Sequence, residues 1–357
     1  MSVRSIISKF LPPPVKAAYR KWRFDGNRPI YRGVSYNEFL ETSLNAFRPD
    51  ASGKERTRME RMMLDEFFES GMRPDEFLSY SFDTKSKSQR LCYMSQREKD
   101  KILIEYYKPN GNRLINQLRD KYLFYTLARP YFQRDVISIS SAGDLDTFME
   151  FCKKHSHFIC KANNSGCGVG IMIREVEGPA EAKLLFNELI SQGTWIIEEL
   201  ISQDAKLAAL NPSSVNTVRF PSFRHGNHVV ADFALLRSGR AGSVVDNAAQ
   251  GGVFASIDVQ SGMVISNGYD ELGHCYNTHP DSEVSFKGFQ IPEWSELLNM
   301  ARQAHLSLPD DQVYVAFDCA LSDKGWVIVE GNWGDLFMQQ ISLGRGLKQE
   351  FLNLLNG

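Results

Sequence analysis

Short apolar runs rich in β-branched and aromatic residues dominate the chain from residue 158 onward, and stretches with helical periodicity separate several of them. Each run has the length of one strand, so a sheet and helices must share a core. This alternation predicts an α+β region. The runs lie at 158–160, 170–173, 195–197, 217–220, 228–236, 312–317 and 326–329.

Residues 1–112 have a different pattern of apolar and polar residues and are predicted to be mainly helical. Ser52 followed by Glu55 indicates a capping box, and an apolar stripe of methionine and phenylalanine then continues to Gly71. This pattern predicts one helix between Ser52 and Gly71. With 357 residues, the chain can form one large catalytic unit, expected at 113–350, beside this helical region.

A basic amphipathic segment opens the chain. Apolar residues recur at helical spacing, and only positive charges precede the first acid, Asp25. Such a segment suits weak peripheral contact of residues 1–24 with an anionic membrane surface; an arm packed on its own domain is the alternative. The apolar residues are Val3, Ile6, Ile7, Phe10 and Leu11.

Composition argues against several classes of protein. The formal net charge of -2 disfavours a general nucleic-acid binder, which needs a basic excess to meet phosphates. The six cysteines form no CxxC pair, no secretory leader is recognised, and no apolar run is long enough to cross a bilayer. We therefore expect a cytoplasmic protein, with the inner face of the membrane as the alternative location.

The first motif with chemical meaning runs from Lys161 to Gly170. The lysine ends a short strand, and Gly166, Gly168 and Gly170 precede the next strand; we call 162–170 the glycine loop. Glycine amides can form a nest for phosphate oxygens, while the lysine ammonium supplies a positive charge. The segment is not a Walker A motif, because no Gly-Lys-Ser/Thr follows. It predicts either a phosphate-binding loop or an ordinary turn.

Two acids, Asp318 and Glu330, interrupt the last two apolar runs. A turn between Ser322 and Gly325 would join those runs as a hairpin and bring the carboxylates face to face. Such carboxylates repel unless a cation lies between them, and Mg²⁺ prefers hard oxygen ligands. The pattern predicts a Mg²⁺ site of Asp318, Glu330 and Asn332, with Mn²⁺ as an alternative ion. Acids that end strands and face solvent are the other interpretation.

These residues stand in an order that resembles an ATP-grasp domain over about 113–350, and shorter motifs resemble the sugar-transfer-associated ATP-grasp family more narrowly. The resemblance implies two α+β subdomains that clamp ATP, a lid-bearing one at 113–200 and a metal and acceptor one at 201–350. The ordered residues are Lys121, Lys161, Glu198 to Ile201, Arg219, Asp318, Glu330 and Asn332. The narrower motifs lie at 211–219, 246–252, 278–280 and 330–332.

On the phosphate side, the resemblance implies that Lys121 and Lys161 contact the ATP phosphates and that the glycine loop closes over them. Many ATP-grasp enzymes carry an arginine two residues before the first metal acid, but this chain has Ala316 there. The resemblance therefore leaves that positive charge to Arg219, which would act in catalysis together with Lys161.

On the nucleoside side, the resemblance implies that adenine lies against Glu198, Glu199 and Ile201 in the linker between the subdomains. Asp204 would hold the ribose.

For the acceptor side, Asn247 and His279 are the candidate catalytic residues, with Arg237 and Asp246 nearby in the sequence motifs. The implied reaction activates a small-molecule carboxylate as an acylphosphate for attack by an amine. The family name suggests sugar-linked substrates, in surface-polysaccharide or glycoconjugate modification. A kinase-like phosphotransferase and a nucleotide-binding scaffold without turnover are the alternatives.

Overall fold

A computed structural model describes most of the chain, which divides into two compact units, Met1–Arg90 and Leu91–Gly357. The segment predicted to contact a membrane lies largely outside the described residues. Backbone is described for residues 15, 18, 21–31, 33–108, 111–163, 170–240, 242–243, 245–334 and 336–357.

The first unit is mainly helical. Its short strands β1 (Pro29–Tyr31) and β2 (Val34–Ser35) pair antiparallel ahead of the helices. Met59, Met63 and Phe67 are buried, so the apolar stripe seen in the sequence faces the interior of this unit. The helices are α1 (Tyr36–Phe47), α2 (Gly53–Ser70), α3 (Pro74–Ser79) and α4 (Lys87–Arg90).

The helix predicted between Ser52 and Gly71 is confirmed as α2, but the predicted capping box is wrong. Ser52 precedes the helix, yet its side chain accepts no hydrogen bond from the first turn. Gly53 has a positive φ of 53°, which turns the chain at the first helical residue and separates the serine hydroxyl from the amides of that turn. Gly71, with φ 76°, ends the helix in the left-handed conformation.

The second unit contains two antiparallel sheets and the remaining helices. Among the described residues, no helix combines the length and the apolar character that a membrane span requires. The helices of this unit are α5 (Gln96–Tyr106), α6 (Gly111–Arg119), α7 (Lys121–Ala128), α8 (Leu145–Lys154), α9 (Pro179–Gln192), α10 (Ala205–Ala208), α11 (Trp294–Ser307), α12 (Phe337–Leu343) and α13 (Lys348–Asn356).

The smaller sheet consists of β3 (Val136–Ile139), β4 (His157–Ala162), β5 (Ile171–Glu175) and β6 (Trp195–Glu199). Its order is β3-β6-β4-β5, and α8 and α9 cover one face, where Phe148, Phe158 and Phe186 pack together. Three of the apolar runs predicted from the sequence form β4, β5 and β6. The two strands predicted on either side of the glycine loop are therefore confirmed.

The strands of the larger sheet lie in the order β12-β11-β10-β9-β7-β13-β14, and β8 also pairs with β7. α7 and α11 pack on one face, and α5 and α13 pack against part of the other. In this order β14 is an edge strand. The strands are β7 (Thr217–His225), β8 (His228–Val230), β9 (Ala234–Ser238), β10 (Val253–Ile257), β11 (Gly268–Tyr269), β12 (Cys275–Tyr276), β13 (Tyr314–Ser322) and β14 (Gly325–Asn332).

The single run predicted at 228–236 is wrong as one strand, because it forms both β8 and β9. β8 pairs with β7 near His225, whereas β9 pairs with β7 near Thr217, so the chain leaves the sheet between them. Phe233 lies in this break and is buried in the same core cluster as Phe223.

His305 of α11 is a buried histidine that should make stability depend on pH. Its Nε2 lies 2.8 Å from Gln312 O, its Nδ1 contacts the Ser222 hydroxyl, and burial lowers its pKa to about 4 from the ordinary 6.5. Below pH 6.5 the unfolded chain binds a proton that the folded chain does not, so stability should fall as the pH decreases. We expect a slope of about 1.4 kcal/mol per pH unit from this group.

Urea unfolding between pH 6.5 and 4.5 measures this slope, and His305→Gln is the comparison, because glutamine does not titrate. The variant should show a flatter pH dependence whatever its absolute stability. Equal slopes for the two proteins would contradict the prediction.

Candidate active site

One face of β13 and β14 is apolar, and the opposite face carries the predicted metal residues. Phe317 and Cys319 belong to the core beneath α7 and α11, so the intervening Asp318 points to the other face. Glu330 pairs with Asp318 across the ladder, as predicted from the sequence. The predicted turn between Ser322 and Gly325 is also confirmed, since these two residues pair with each other.

The pairing of Asp318 with Glu330 depends on a β-bulge. The regular ladder ends at Ile328 and would next pair Asp318 with Val329, but the register shifts by one residue. Because side chains alternate along a strand, the shift moves Glu330 and Asn332 from the face of Ile328 to the face of Asp318. The bulge therefore brings the three predicted metal ligands together.

Asp318 is a buried carboxylate held by two guanidinium groups. Arg219, opposite it on β7, donates to both carboxylate oxygens, with Nη2 at 2.7 Å from Oδ2. Arg237 Nη1 and Asn332 Nδ2 donate to Oδ2 at 2.8 and 3.2 Å. Burial by itself would raise the pKa of Asp318, but the two arginines hold that pKa well below its usual range. Arg219 thus places a guanidinium group beside Asp318, and its role in place of an arginine at Ala316 stays a prediction.

Glu330 has the opposite electrostatic environment. Burial, and then the charge of Asp318, raise the pKa of Glu330, while Arg219 and Lys161 act in the other direction. Asn332 Nδ2 donates to Glu330 Oε1 at 3.2 Å. The pKa values of these two neighbouring carboxylates are displaced in opposite directions, and their negative charges repel each other. A cation bound between them would reduce that repulsion. Hard oxygen atoms of Asp318, Glu330 and Asn332 on one face fit Mg²⁺.

Lys161 ends β4 and is buried in an ion network. Its Nζ lies 2.9 Å from Glu198 Oε1, and Arg134 donates to Glu198 Oε2 through Nε and Nη2 at 2.9 and 2.6 Å. Burial by itself would raise the pKa of Glu198, but the charges of Lys161 and Arg134 hold that pKa at about 2. Glu198 is only 3% exposed, so its carboxylate orients Lys161.

Lys121 begins α7 and lies at the root of the glycine loop. Its Nζ donates to Ala162 O and Asn163 O at 3.1 and 3.2 Å. Burial lowers the pKa of Lys121, whereas the charge of Glu330 raises it and that of Lys161 lowers it. Lys121 Nζ thus lies beside the residue that follows Lys161, and Phe124 of the same helix faces Gly331, the neighbour of Glu330.

The glycine loop is described only at its two ends. Ala162 N–H donates to Gly170 O at 2.9 Å, which continues the β4–β5 pairing, and Gly170 has a positive φ of 71°. Gly166 and Gly168 lie outside the described residues.

The linker after β6 carries the residues expected near the nucleoside. Glu199 accepts a hydrogen bond from Lys324 Nζ at 2.9 Å, and half-buried Ile201 lines a cleft beside it. Asp204 Oδ1 accepts from Lys206 N–H at 2.9 Å, which begins α10. The structure thus gives Glu199 and Asp204 partners within the protein.

Arg237 joins Asp318 to the predicted acceptor loop. Its Nη2 donates to Asp246 Oδ1 at 3.1 Å, while its Nη1 contacts Asp318. Asn247 is the next residue along the chain, and its carbonyl accepts the Gly252 N–H at 3.1 Å. Asn247 therefore follows a residue that Arg237 links to Asp318, and its catalytic role stays a prediction.

His279 lies in the interior. Its Nε2 is 2.9 Å from Gly239 O and 3.2 Å from Ser238 Oγ, and the residue is 0% exposed. Burial lowers the pKa of His279, which keeps the imidazole neutral. Its catalytic role stays a prediction.

Arg134 is a residue of the candidate site that was not predicted from the sequence. It is an isolated arginine ahead of β3, and no motif or periodicity includes it. A signal was nevertheless present in β6, where Glu198 follows the apolar residues Trp195, Ile196 and Ile197. A carboxylate in a buried strand needs cationic partners, and Lys161 alone leaves one of its oxygens to be satisfied.

Gly331 stands between two predicted metal ligands because α7 leaves no room for a side chain. A Cβ atom there would lie 2.5 Å from the ring of Phe124. Gly331→Ala should therefore lower the free energy of unfolding by about 1 to 3 kcal/mol. Thermal denaturation measures the effect.

Gly334→Ala is the matched control for this prediction, since the nearest atom to a Cβ at Gly334 is 3.8 Å away. Combining Gly331→Ala with Phe124→Leu should recover part of the loss. Equal destabilisation by the two alanine substitutions would contradict the packing of α7 on β14.

Comparisons with solved structures returned ATP-grasp proteins at low similarity. The chain is 13% identical to the ATP-grasp ligase PsnB complexed with minimal precursor (TM-score 0.39; 66% of this chain, 57% of that one). For the D-alanine-D-alanine ligase of Coxiella burnetii the identity is 10% (TM-score 0.39; 67% and 57%). For N5-carboxyaminoimidazole synthetase of Staphylococcus aureus, complexed with ADP, it is 13% (TM-score 0.41; 72% and 60%).

The chain thus spans less than two thirds of each of these three proteins. A search of curated proteins returned no match. The model of one family, described as sugar-transfer associated ATP-grasp, matches residues 102–355, which is most of the chain. The chain therefore belongs to the sugar-transfer-associated ATP-grasp family and has the α+β ATP-grasp fold.

Proposed function

We propose that the protein is a Mg²⁺- and ATP-dependent ligase that joins a small-molecule carboxylate to an amine. The observation that carries this proposal is the placement of the two lysines relative to the acids. Asp318 pairs with Glu330 and lies opposite Arg219. Lys121 contacts the carbonyl of the residue after Lys161, and the helix that Lys121 begins packs on Gly331, between Glu330 and Asn332. The two lysines come from the lid-bearing side (113–200) and the acids from the metal side (201–350), as an enzyme that clamps a nucleotide requires. The reaction would give ADP, phosphate and a new amide.

The residues on the acidic face fit a divalent cation. Asp318 is ionised beside two arginines, Glu330 lacks the electrostatic compensation that would keep its pKa low, and Asn332 contributes an amide oxygen. Mg²⁺, or Mn²⁺ in its place, would neutralise charge on the ATP phosphates during transfer.

Lys121, Lys161 and Arg219 would bind the phosphates and stabilise the charge that develops on the transferred phosphoryl group. Lys161 is oriented for this task by Glu198. Lys121 donates to carbonyls at the root of the glycine loop, so its position follows that of the loop. Closure of Gly166, Gly168 and Gly170 over the site would exclude water and protect the acylphosphate from hydrolysis.

For the nucleoside, we propose that the backbone from Glu199 to Ile201 contacts adenine and that Asp204 holds the ribose. Glu198 would act on the nucleotide mainly through Lys161, because its buried carboxylate is already engaged.

On the acceptor side, Asn247 and Arg237 have the strongest support, because Arg237 bridges Asp318 and Asp246. His279 would act from the interior of the acceptor region. The family name favours sugar-linked substrates, such as a uronic acid joined to an amino acid, in surface-polysaccharide or glycoconjugate modification.

The test is a screen of amino acids and uronic-acid sugars for ADP release, followed by mass spectrometry of the product. ADP, phosphate and a new amide would support the ligase. ADP with a stable phosphorylated acceptor would show a phosphotransferase instead. Nucleotide binding without ADP release from any pair would favour a scaffold.

A further inference from the structure

We propose that Arg134 is a positioning residue that couples the phosphate lysine, Lys161, to the metal acid, Glu330. This inference rests on the function proposed above. Arg134 lies just ahead of β3, at the edge of the smaller sheet, and it contacts β14, at the edge of the larger one. It therefore connects the two parts of the site through the protein.

The first half of the link runs to Lys161. Two N–H groups of Arg134 bind Glu198 Oε2, and Glu198 Oε1 binds the Lys161 ammonium at 2.9 Å. The side chains of Arg134 and Glu198 are only 3% and 4% exposed. Solvent does not weaken these interactions, so a displacement of Arg134 would displace Glu198 and Lys161.

The second half of the link runs to the β-bulge. Arg134 Nη1 donates to Ile328 O at 2.7 Å, and Nη2 donates to Val329 O at 3.4 Å. Successive carbonyls of a regular strand point in opposite directions, so one guanidinium can meet both only where the ladder is irregular. Glu330 is the next residue. Arg134 thus stabilises the irregularity that turns Glu330 toward Asp318.

The geometry requires arginine. Its remaining contact is from Nη1 to Phe132 O at 3.2 Å, so all five N–H donors are engaged. A lysine has three donors on one atom and cannot reach the carboxylate and both bulge carbonyls together. Arg134→Lys should therefore behave more like Arg134→Met than like the wild type.

Calorimetry with a non-hydrolysable ATP analogue, titrated at a series of Mg²⁺ concentrations, tests the coupling without a known acceptor. Arg134→Met and Arg134→Lys should weaken binding of the analogue at least about tenfold and raise the Mg²⁺ concentration needed for half-maximal affinity. Glu198→Gln disturbs mainly the lysine half of the link, because Arg134 keeps its contacts with the carbonyls of Phe132, Ile328 and Val329. It should weaken binding but change the Mg²⁺ dependence less than Arg134→Met does.

Arg224→Met is the matched control, because Arg224 is also a buried arginine that binds carbonyls and a carboxylate. It donates to Gly226 O, Leu308 O and Asp310, away from the candidate site. Thermal denaturation should show a loss of stability for both methionine variants, but only Arg134→Met should change the Mg²⁺ dependence.

If the wild type binds the analogue with Mg²⁺ and Arg134→Met differs from it no more than Arg224→Met does, the inference is overturned and the proposed function stands. If the wild type does not bind the analogue at any Mg²⁺ concentration, the proposed function fails and the inference fails with it.

Discussion

Replacing Glu330 by glutamine should reduce ATP turnover at least about a thousandfold, since charge stabilisation by a bound metal is worth several kcal/mol. The same change should leave the melting temperature unchanged or raise it. Burial and Asp318 raise the pKa of Glu330, so its ionised form destabilises the folded state at neutral pH, and a neutral amide removes that cost. Steady-state ADP release and thermal denaturation measure the two effects.

Glu296→Gln is the control, because Glu296 is exposed on α11 and away from the acids. A melting temperature of Glu330→Gln well below that of the wild type would contradict the electrostatic argument. Turnover at the wild-type rate would show that Glu330 is not a metal ligand. Asp318→Asn is a less direct test. It removes the carboxylate that pairs with the buried guanidinium groups of Arg219 and Arg237, so stability would fall together with activity.

The sequence predicted the hairpin of β13 and β14 well, for local reasons. The apolar runs at 312–317 and 326–329 lie close together in the chain, so a turn between Ser322 and Gly325 joins them as an antiparallel pair, and Ser322 and Gly325 do pair. The helix after Ser52 was predicted from similar local signals. Its capping box was not, because the φ of Gly53 cannot be read from the residue type.

The pairing of Asp318 with Glu330 was predicted correctly, but the β-bulge that produces this pairing was not predicted. A regular ladder continued from the turn would pair Asp318 with Val329 and would leave Glu330 on the face of Ile328. The bulge corrects this by one residue, and Arg134, nearly 200 residues earlier in the chain, holds its carbonyls. Contacts so distant in the sequence leave no trace in periodicity or motif spacing. Arg134 could therefore be found only from the structure.

Some predicted residues proved to have partners that a motif does not reveal. Arg219 reaches Asp318 because β7 lies beside β13, an adjacency that depends on the strand order of the sheet. Glu198, expected beside adenine, is buried against Lys161 and Arg134. Family resemblance gives the residue types of a site, whereas their hydrogen bonds depend on strands that are distant in the chain.

Lys161→Ala should weaken binding of a non-hydrolysable ATP analogue and slow turnover together, at a cost of about 3 kcal/mol or more in transition-state stabilisation. The ammonium is held by Glu198 at the end of β4, and Lys121 contacts the carbonyl of the next residue, so loss of the ammonium would remove a fixed positive charge from the proposed phosphate site. It also leaves the Glu198 carboxylate with Arg134 as a cationic partner, so the fold should survive with reduced stability. Calorimetry, steady-state rates and thermal denaturation should be compared with those of Lys183→Ala, since Lys183 is exposed on α9. Wild-type binding and turnover in Lys161→Ala would mean that the glycine loop is an ordinary turn, and that the nucleotide phosphates do not lie between Lys161 and the acids of β13 and β14.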